Sequence, residues 1–275
     1  MFEIILPGLI LGVFALISAS GLYAASKKFY VYEDPRIEKV TDMLPGANCG
    51  GCGFAGCAAF AENVVTTMSL NPTCPVADEA QLDRIAEFLG MEKAVTEKQV
   101  ASLMCNGTYD HSKTMMEYTG IEDCWAAMLV TDTTKSCAFS CLGLGSCVRA
   151  CGFDAMRIEN GIVVIDDEKC TGCGMCVPAC PKNILHMRPY SKRTTVTCFN
   201  TDKGADARKA CSVACIGCMK CEKVCEDDAI HVTNFLAKIN YDKCTNCGKC
   251  VEVCPTDAIE IRGEEVIAHV AAQVV

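Results

Sequence analysis

Sixteen cysteines of this chain fall into two sets of eight that coincide at a fixed offset of 74 residues. Cys137, Cys141, Cys147, Cys151, Cys170, Cys173, Cys176 and Cys180 map without a gap onto Cys211, Cys215, Cys221, Cys225, Cys244, Cys247, Cys250 and Cys254. Lys135/Lys209, Asp154/Asp228, Ala155/Ala229, Lys169/Lys243, Thr171/Thr245 and Gly174/Gly248 match at the same offset. Each copy contains a full C-x2-C-x2-C-x3-C-P run, Cys170 to Pro181 and Cys244 to Pro255. Such a chain folds as two tandem, equivalent, thiol-rich units.

That run is the spacing with which ferredoxins hold cubane iron–sulfur clusters: three thiolates bind one cluster and the fourth reaches the other. Two rival uses of 24 cysteines in 275 residues fit less well. Disulfide scaffolds are cysteine-dense but short, and their spacings do not repeat C-x2-C-x2-C. Structural zinc takes four ligands from two C-x2-C pairs and has no use for the third cysteine or the C-x3-C-P ending.

The exchange of the fourth ligand gives specific expectations. Cys170, Cys173 and Cys176 are completed by Cys151; Cys244, Cys247 and Cys250 by Cys225; Cys215, Cys218 and Cys221 by Cys254. The first module departs from the pattern, because Leu144 stands where Cys218 stands in the repeat. Cys137 is the nearest candidate to join Cys141 and Cys147 there, closed by Cys180. Cys211 is then spare, or competes with Cys218. Gly152 and Glu226 replace the proline after Cys151 and Cys225, so these halves are the irregular ones. Asn160-Gly161 between alternating segments predicts a type I′ hairpin. The matching stretch, Ile230 to Ile239, is expected to have longer strands without that turn, and short helices follow each set.

A different group lies upstream: Cys49, Cys52, Cys57 and Cys74, interleaved by Gly50, Gly51, Gly53 and Gly56. Glycine allows close backbone approach, so N–H groups there can face cluster sulfides. Four-thiolate zinc is the rival, and the neighbouring runs favour iron–sulfur. Helices are expected over Pro35–Met43, from about Cys57 to Leu70, and up to Leu89 ahead of Gly90. Earlier still, Ile4 to Ala25 gives 22 residues without a charge, close to the roughly 20 that span a bilayer. A cleaved signal peptide would need a basic start and a shorter apolar run, and only Glu3 precedes it. Lys27 and Lys28 at the exit place the body in the cytoplasm, with Tyr30 and Tyr32 at interface depth.

Cys105, Cys124, Cys198 and Cys211 remain unassigned; Cys124 and Cys198 correspond at the same offset. They are enough for a sixth cluster beyond the five expected, although no C-x2-C spacing supports it. Four scattered histidines (His111, His186, His231, His269) form no catalytic constellation, and neither a dinucleotide loop nor a Walker A sequence is present. A net charge of −9 argues against nucleic acid. The chain reads as an electron conduit with no catalytic residues of its own.

The order of a single anchor, the NCGGCGFAGCAAFAE segment with Cys74 in NPTCPVAD, and ferredoxin-type runs resembles the B subunits of Rnf complexes, in the longer form with two ferredoxin modules. The resemblance covers essentially the whole chain. It implies an α+β protein with one N-terminal transmembrane helix (1–28), a small four-cysteine 4Fe–4S domain (29–95), a connector (96–134), ferredoxin-like module 1 (135–190), a linker (191–208) and ferredoxin-like module 2 (209–275). It implies membership of a ferredoxin:NAD⁺ oxidoreductase in the inner membrane. This subunit would accept electrons from soluble ferredoxin and pass them to membrane and peripheral subunits, coupled to Na⁺ or H⁺ export. It also implies that Cys49, Cys52, Cys57 and Cys74 hold the anchor-proximal cluster. Lys182, Arg188, Lys192 and Arg193 are the basic spot expected to meet ferredoxin. A tethered redox enzyme or sensor with its own active site, near Trp125, is the alternative; a zinc-stabilised scaffold is another.

Overall fold

The computed structural model describes residues 2–29, 34–92 and 97–262. Helix α1 (Phe2–Lys28) takes in the uncharged run as 27 helical residues, about 40 Å at the usual rise. Its described side chains are exposed, Leu11, Phe14, Ile17 and Leu22 among them. The side chains of residues 1–7 and of Ile10 lie outside the described residues, as do Tyr30, Tyr32 and His269. Among the described residues no helix is long and apolar enough to cross a membrane.

Three helices follow: α2 (Pro35–Met43), α3 (Cys57–Thr67) and α4 (Glu79–Leu89). Asp34 caps α2, accepting from the Arg36 N–H at 2.9 Å, and Pro35 supplies the preset φ of a first turn. Asp78 and Gln81 form a reciprocal capping box on α4, which Gly90 ends in the left-handed conformation. Helix α3 stops at Thr67, three residues before the expected end, because Met68 turns left-handed. Val40, Phe60, Val64, Ile85 and Leu89 fill the space between the three helices, and Cys74 is buried with them.

The rest is two modules, each closed by pairing its first strand with its last. In module 1, β1 (Gln99–Leu103) leads through α5 (Cys124–Met128), α6 (Ser146–Arg149), β2 (Met156–Glu159) and β3 (Ile162–Ile165) to β4 (Leu185–Pro189). In module 2, β5 (Thr194–Val196) leads through α7 (Gly204–Ala210), α8 (Lys220–Val224), β6 (Ile230–Thr233), β7 (Leu236–Ile239) and α9 (Lys249–Glu252) to β8 (Ile259–Ile261). β1 pairs antiparallel with β4, and β5 with β8. Residues 96–134 and 191–208, read as connector and linker, therefore supply the opening strand of each module.

The inner hairpins are equivalent, which corrects the expectation for the second copy. Glu159 faces Ile162 across Asn160-Gly161, and Thr233 faces Leu236 across Asn234-Phe235. Both turns have two residues at positive φ: 46° and 78° in the first, 50° and 62° in the second. Asparagine tolerates that region, so Asn160 and Asn234 carry the turn in both copies. Two-stranded sheets of this size have little stability alone. Here they pack on thiols: Cys105, Cys141, Cys147, Cys170 and Cys176 share one core with Val100, Leu103, Val163 and Ile184.

Candidate iron–sulfur centres

Module 2 arranges its thiols in two groups. Cys225, Cys244, Cys247 and Cys250 line one cavity, and Cys215, Cys218, Cys221 and Cys254 line another beside Pro255. Each group takes three thiols from one loop and the fourth from the end of the other. Helix α8 carries Cys221 and ends at Cys225, and Lys249–Glu252 carries Cys250 just before Cys254. The closing thiols receive backbone N–H groups from four residues on: Ala229 to Cys225 Sγ and Ala258 to Cys254 Sγ, both at 3.3 Å. Such hydrogen bonds to sulfur tune cluster potential.

Module 1 repeats one of these groups and alters the other. Burial pushes the Cys176 thiol up to about 12, and the neighbouring Cys170, Cys173 and Cys151 add to the shift, so these four stand together. The altered cavity is lined by Cys124, Cys141, Cys147 and Cys180. Cys137, expected to complete it, does not line this cavity; Cys124 does. Helix α5 begins at Cys124 and is capped by Asp123, whose carboxylate also meets Ser146 and Arg149 of α6 at 2.8 and 2.7 Å. The Cys124 N–H donates to Ser146 Oγ at 2.8 Å. The Ser146 hydroxyl and the backbone bonds, together with Arg149, hold the Asp123 carboxyl down at about 2. Cys147 is pushed up to about 12 by burial, then by Cys124 and Cys180.

Cys137 lies elsewhere, in a cavity lined by Cys105, Cys137, Cys198 and Cys211 with Met104, Phe139, Phe199 and Val213. Upstream, Cys74 is pushed up by burial, with Cys52 and Cys57 adding to the shift. Asn48 accepts the Cys57 N–H at 2.9 Å, and Gly56 leaves room for that amide: a Cβ there would stand 2.9 Å from Asn48 Oδ1. Cys49 reaches Cys173 of module 1 closely enough to raise its pKa, after burial and against hydrogen bonds. Gly51 makes that contact feasible, since a Cβ there would lie 2.6 Å from the Cys173 carbonyl oxygen.

The donor set fits cubane clusters. Each of the four cavities is lined by four thiols. A zinc ion would draw its thiolates to about 3.8 Å from one another, from zinc–sulfur bonds of about 2.3 Å. The third cysteine of each C-x2-C-x2-C run, which zinc does not use, suits a cubane. Buried thiols held near 12 give up their protons to a metal rather than to water.

Of the four basic residues expected to meet ferredoxin, Arg193 is exposed and the other three are held by the fold. Arg188 is 1% exposed and ion-paired with Asp167. Lys182 Nζ donates to the Asp132 and Ala138 carbonyls at 2.8 and 2.6 Å, and Lys192 Nζ to the Cys244 carbonyl at 2.6 Å. Trp125 lines no cavity described above; it is half-exposed, with its ring N–H on the Ala179 carbonyl.

The family described as 4Fe-4S binding domain matches residues 163–186 and 237–260, and a second of that description matches 214–228. The FeS (Fe-S cluster) family matches 44–76. The B subunit of a Na⁺-translocating ferredoxin:NAD⁺ oxidoreductase complex from Acetobacterium woodii is 47% identical over 87% of this chain and 72% of its own length. The B subunit of an ion-translocating oxidoreductase complex from Methanosarcina acetivorans is 44% identical over 81% of this chain and 84% of its length. The B subunit of a proton-translocating ferredoxin:NAD⁺ oxidoreductase complex from Clostridium ljungdahlii is 40% identical, over 87% and 85%.

Proposed function

This chain belongs to the B subunits of the Rnf family of ion-translocating ferredoxin:NAD⁺ oxidoreductases, and on that premise we propose that it takes electrons from reduced ferredoxin and relays them toward membrane partners. Iron–sulfur clusters supply one-electron redox chemistry when bound. The chain's own part is to set thiols in adjoining groups, exclude water from most of them and aim N–H donors at their sulfurs. The observation that carries this reading is their continuity. Cys173 meets Cys49 at one end of module 1, and Cys176 neighbours Cys147 within it.

Cys218 and Cys247 are exposed, whereas the other thiols are buried or half-buried. Both belong to module 2, which is therefore the proposed entry for ferredoxin. The anchor-proximal group, Cys49, Cys52, Cys57 and Cys74, is the proposed exit. Residues 4–25 are proposed to cross the inner membrane once, with the body cytoplasmic. Their support is 22 uncharged residues followed by Lys27 and Lys28. A reporter enzyme fused after Val275 is expected to be active only in the cytoplasm; activity confined to the other side reverses the topology. The relatives differ in the ion they name, so coupling to Na⁺ or H⁺ export is proposed for the complex without choosing between them.

Stopped-flow mixing tests the electron path. Anaerobic full chain is expected to bleach with reduced ferredoxin and to stay coloured with NADH alone, because its sequence carries no dinucleotide loop. Bleaching by NADH would favour a redox enzyme with its own substrate site.

A further inference from the structure

We propose that Cys105, Cys137, Cys198 and Cys211 form a sixth iron–sulfur site that joins the two modules. The inference rests on the iron–sulfur reading of the other thiols and adds to it. None of the family matches includes any of these four residues.

The four thiols come in equivalent pairs. Cys105 stands two residues after the end of β1, and Cys198 two residues after the end of β5. Cys105 Sγ accepts from the N–H of Gly107 at 3.4 Å and of Cys141 at 3.4 Å. Cys198 Sγ accepts from the N–H of Asn200 at 3.4 Å and of Cys215 at 3.2 Å. Cys141 and Cys215 are partners in the 74-residue repeat, and so are Cys137 and Cys211. Each module thus contributes one strand-end thiol and one loop thiol, related by the pseudo-symmetry of the chain.

The four thiols line one cavity. A Cβ on Gly107 would lie 3.4 Å from Cys105 Sγ and 3.6 Å from Cys211 Sγ. Asn200 Nδ2 donates to Cys137 Sγ at 3.5 Å. All four are 6 or 7% exposed. Cys105, Cys198 and Cys137 thus each accept an N–H donor, the kind of hydrogen bond that tunes cluster sulfurs.

An ammonium buried beside them points the same way. Lys135 is 1% exposed, with Nζ on the Gly107 and Gly161 carbonyls at 2.8 and 2.7 Å and over the Tyr109 ring. No carboxylate among the described residues forms an ion pair with it. A buried cation requires a negative partner, and Lys135 shares Gly107 with Cys105: its Nζ holds the Gly107 carbonyl while the Gly107 N–H is on Cys105 Sγ. A thiolate-held cluster supplies that charge.

The sixth site closes the gap in the relay. Cys141 of module 1 donates its N–H to Cys105, and Cys215 of module 2 to Cys198, so the site adjoins one group on each side. All 24 cysteines are then used, four to a site.

The test is native mass spectrometry and metal analysis of the anaerobic full chain, with Cys105→Ser/Cys198→Ser alongside. Wild type is expected to carry about 24 irons and as many sulfides, and the variant one-sixth fewer. About 20 irons in wild type overturns the sixth site and leaves the other five standing. About 20 irons with one zinc assigns the four thiols to zinc, against the proposal. About eight irons or fewer sinks the tandem-module reading itself. The wild-type count decides even where the variant does not fold.

Discussion

Replacing Cys124 with serine is expected to remove one iron–sulfur site from the full chain, and adding Leu144→Cys is expected to restore it. Cys124 is the only thiol of its cavity that comes from outside the repeat. It substitutes for a ligand that module 2 places on its loop as Cys218. The two loops share their backbone: Gly143 and Gly145 have φ of 71° and 76°, Gly217 and Met219 of 63° and 59°. A cysteine at 144 therefore starts from the same backbone as Cys218. The single variant is expected to lose about four irons, one cubane, while the Cys49–Cys74 group keeps its own. Recovery of those irons in Cys124→Ser/Leu144→Cys, by native mass and iron analysis, checks the exchange. An undiminished count in the single variant would return the fourth position to another thiol.

Much of this is legible in the chain, and the limits have a physical origin. The ferredoxin runs hold their ligands within a few residues of one another, so spacing alone groups Cys215 to Cys254 as the cavities do. Helix ends are equally local: Asp34, Asp78 and Gly90 act within one turn. What escapes is non-local. The 74-residue offset holds from Lys135 onward, but Cys105 precedes Cys137 by 32 residues and Cys198 precedes Cys211 by only 13. An insertion of 19 residues separates the two modules' spacings. Counting at constant offset therefore aligns Cys198 with Cys124, whereas strand pairing aligns it with Cys105. The inserted segment is what delivers Cys124. Its signal lies in the departure at Leu144, which leaves a position that the same module has to fill.

Three of the four basic residues have partners that are hidden for a similar reason. Lys182, Arg188 and Lys192 stand near one another in sequence, which suggests a surface patch. Each is instead tied to a backbone or carboxylate that sequence distance hides: Asp132 and Ala138, Asp167, and Cys244. In the second hairpin the turn is hard to see because Phe235 stands where Gly161 does. Asn234 is the informative residue, since it takes the first left-handed position as Asn160 does.

The second large effect concerns the joint between modules. Electron tunnelling falls steeply with distance, so removing the site between Cys141 and Cys215 is expected to slow transfer between the modules. The decisive measurement is stopped-flow bleaching of Cys105→Ser/Cys198→Ser by reduced ferredoxin, after native mass confirms that five sites remain. In wild type all sites are expected to bleach in one linked process. In the variant, fast bleaching is expected to stop at the two sites of module 2, with module 1 and the Cys49–Cys74 group following slowly. Bleaching of all five together, at the wild-type rate, would contradict a relay that runs through this joint.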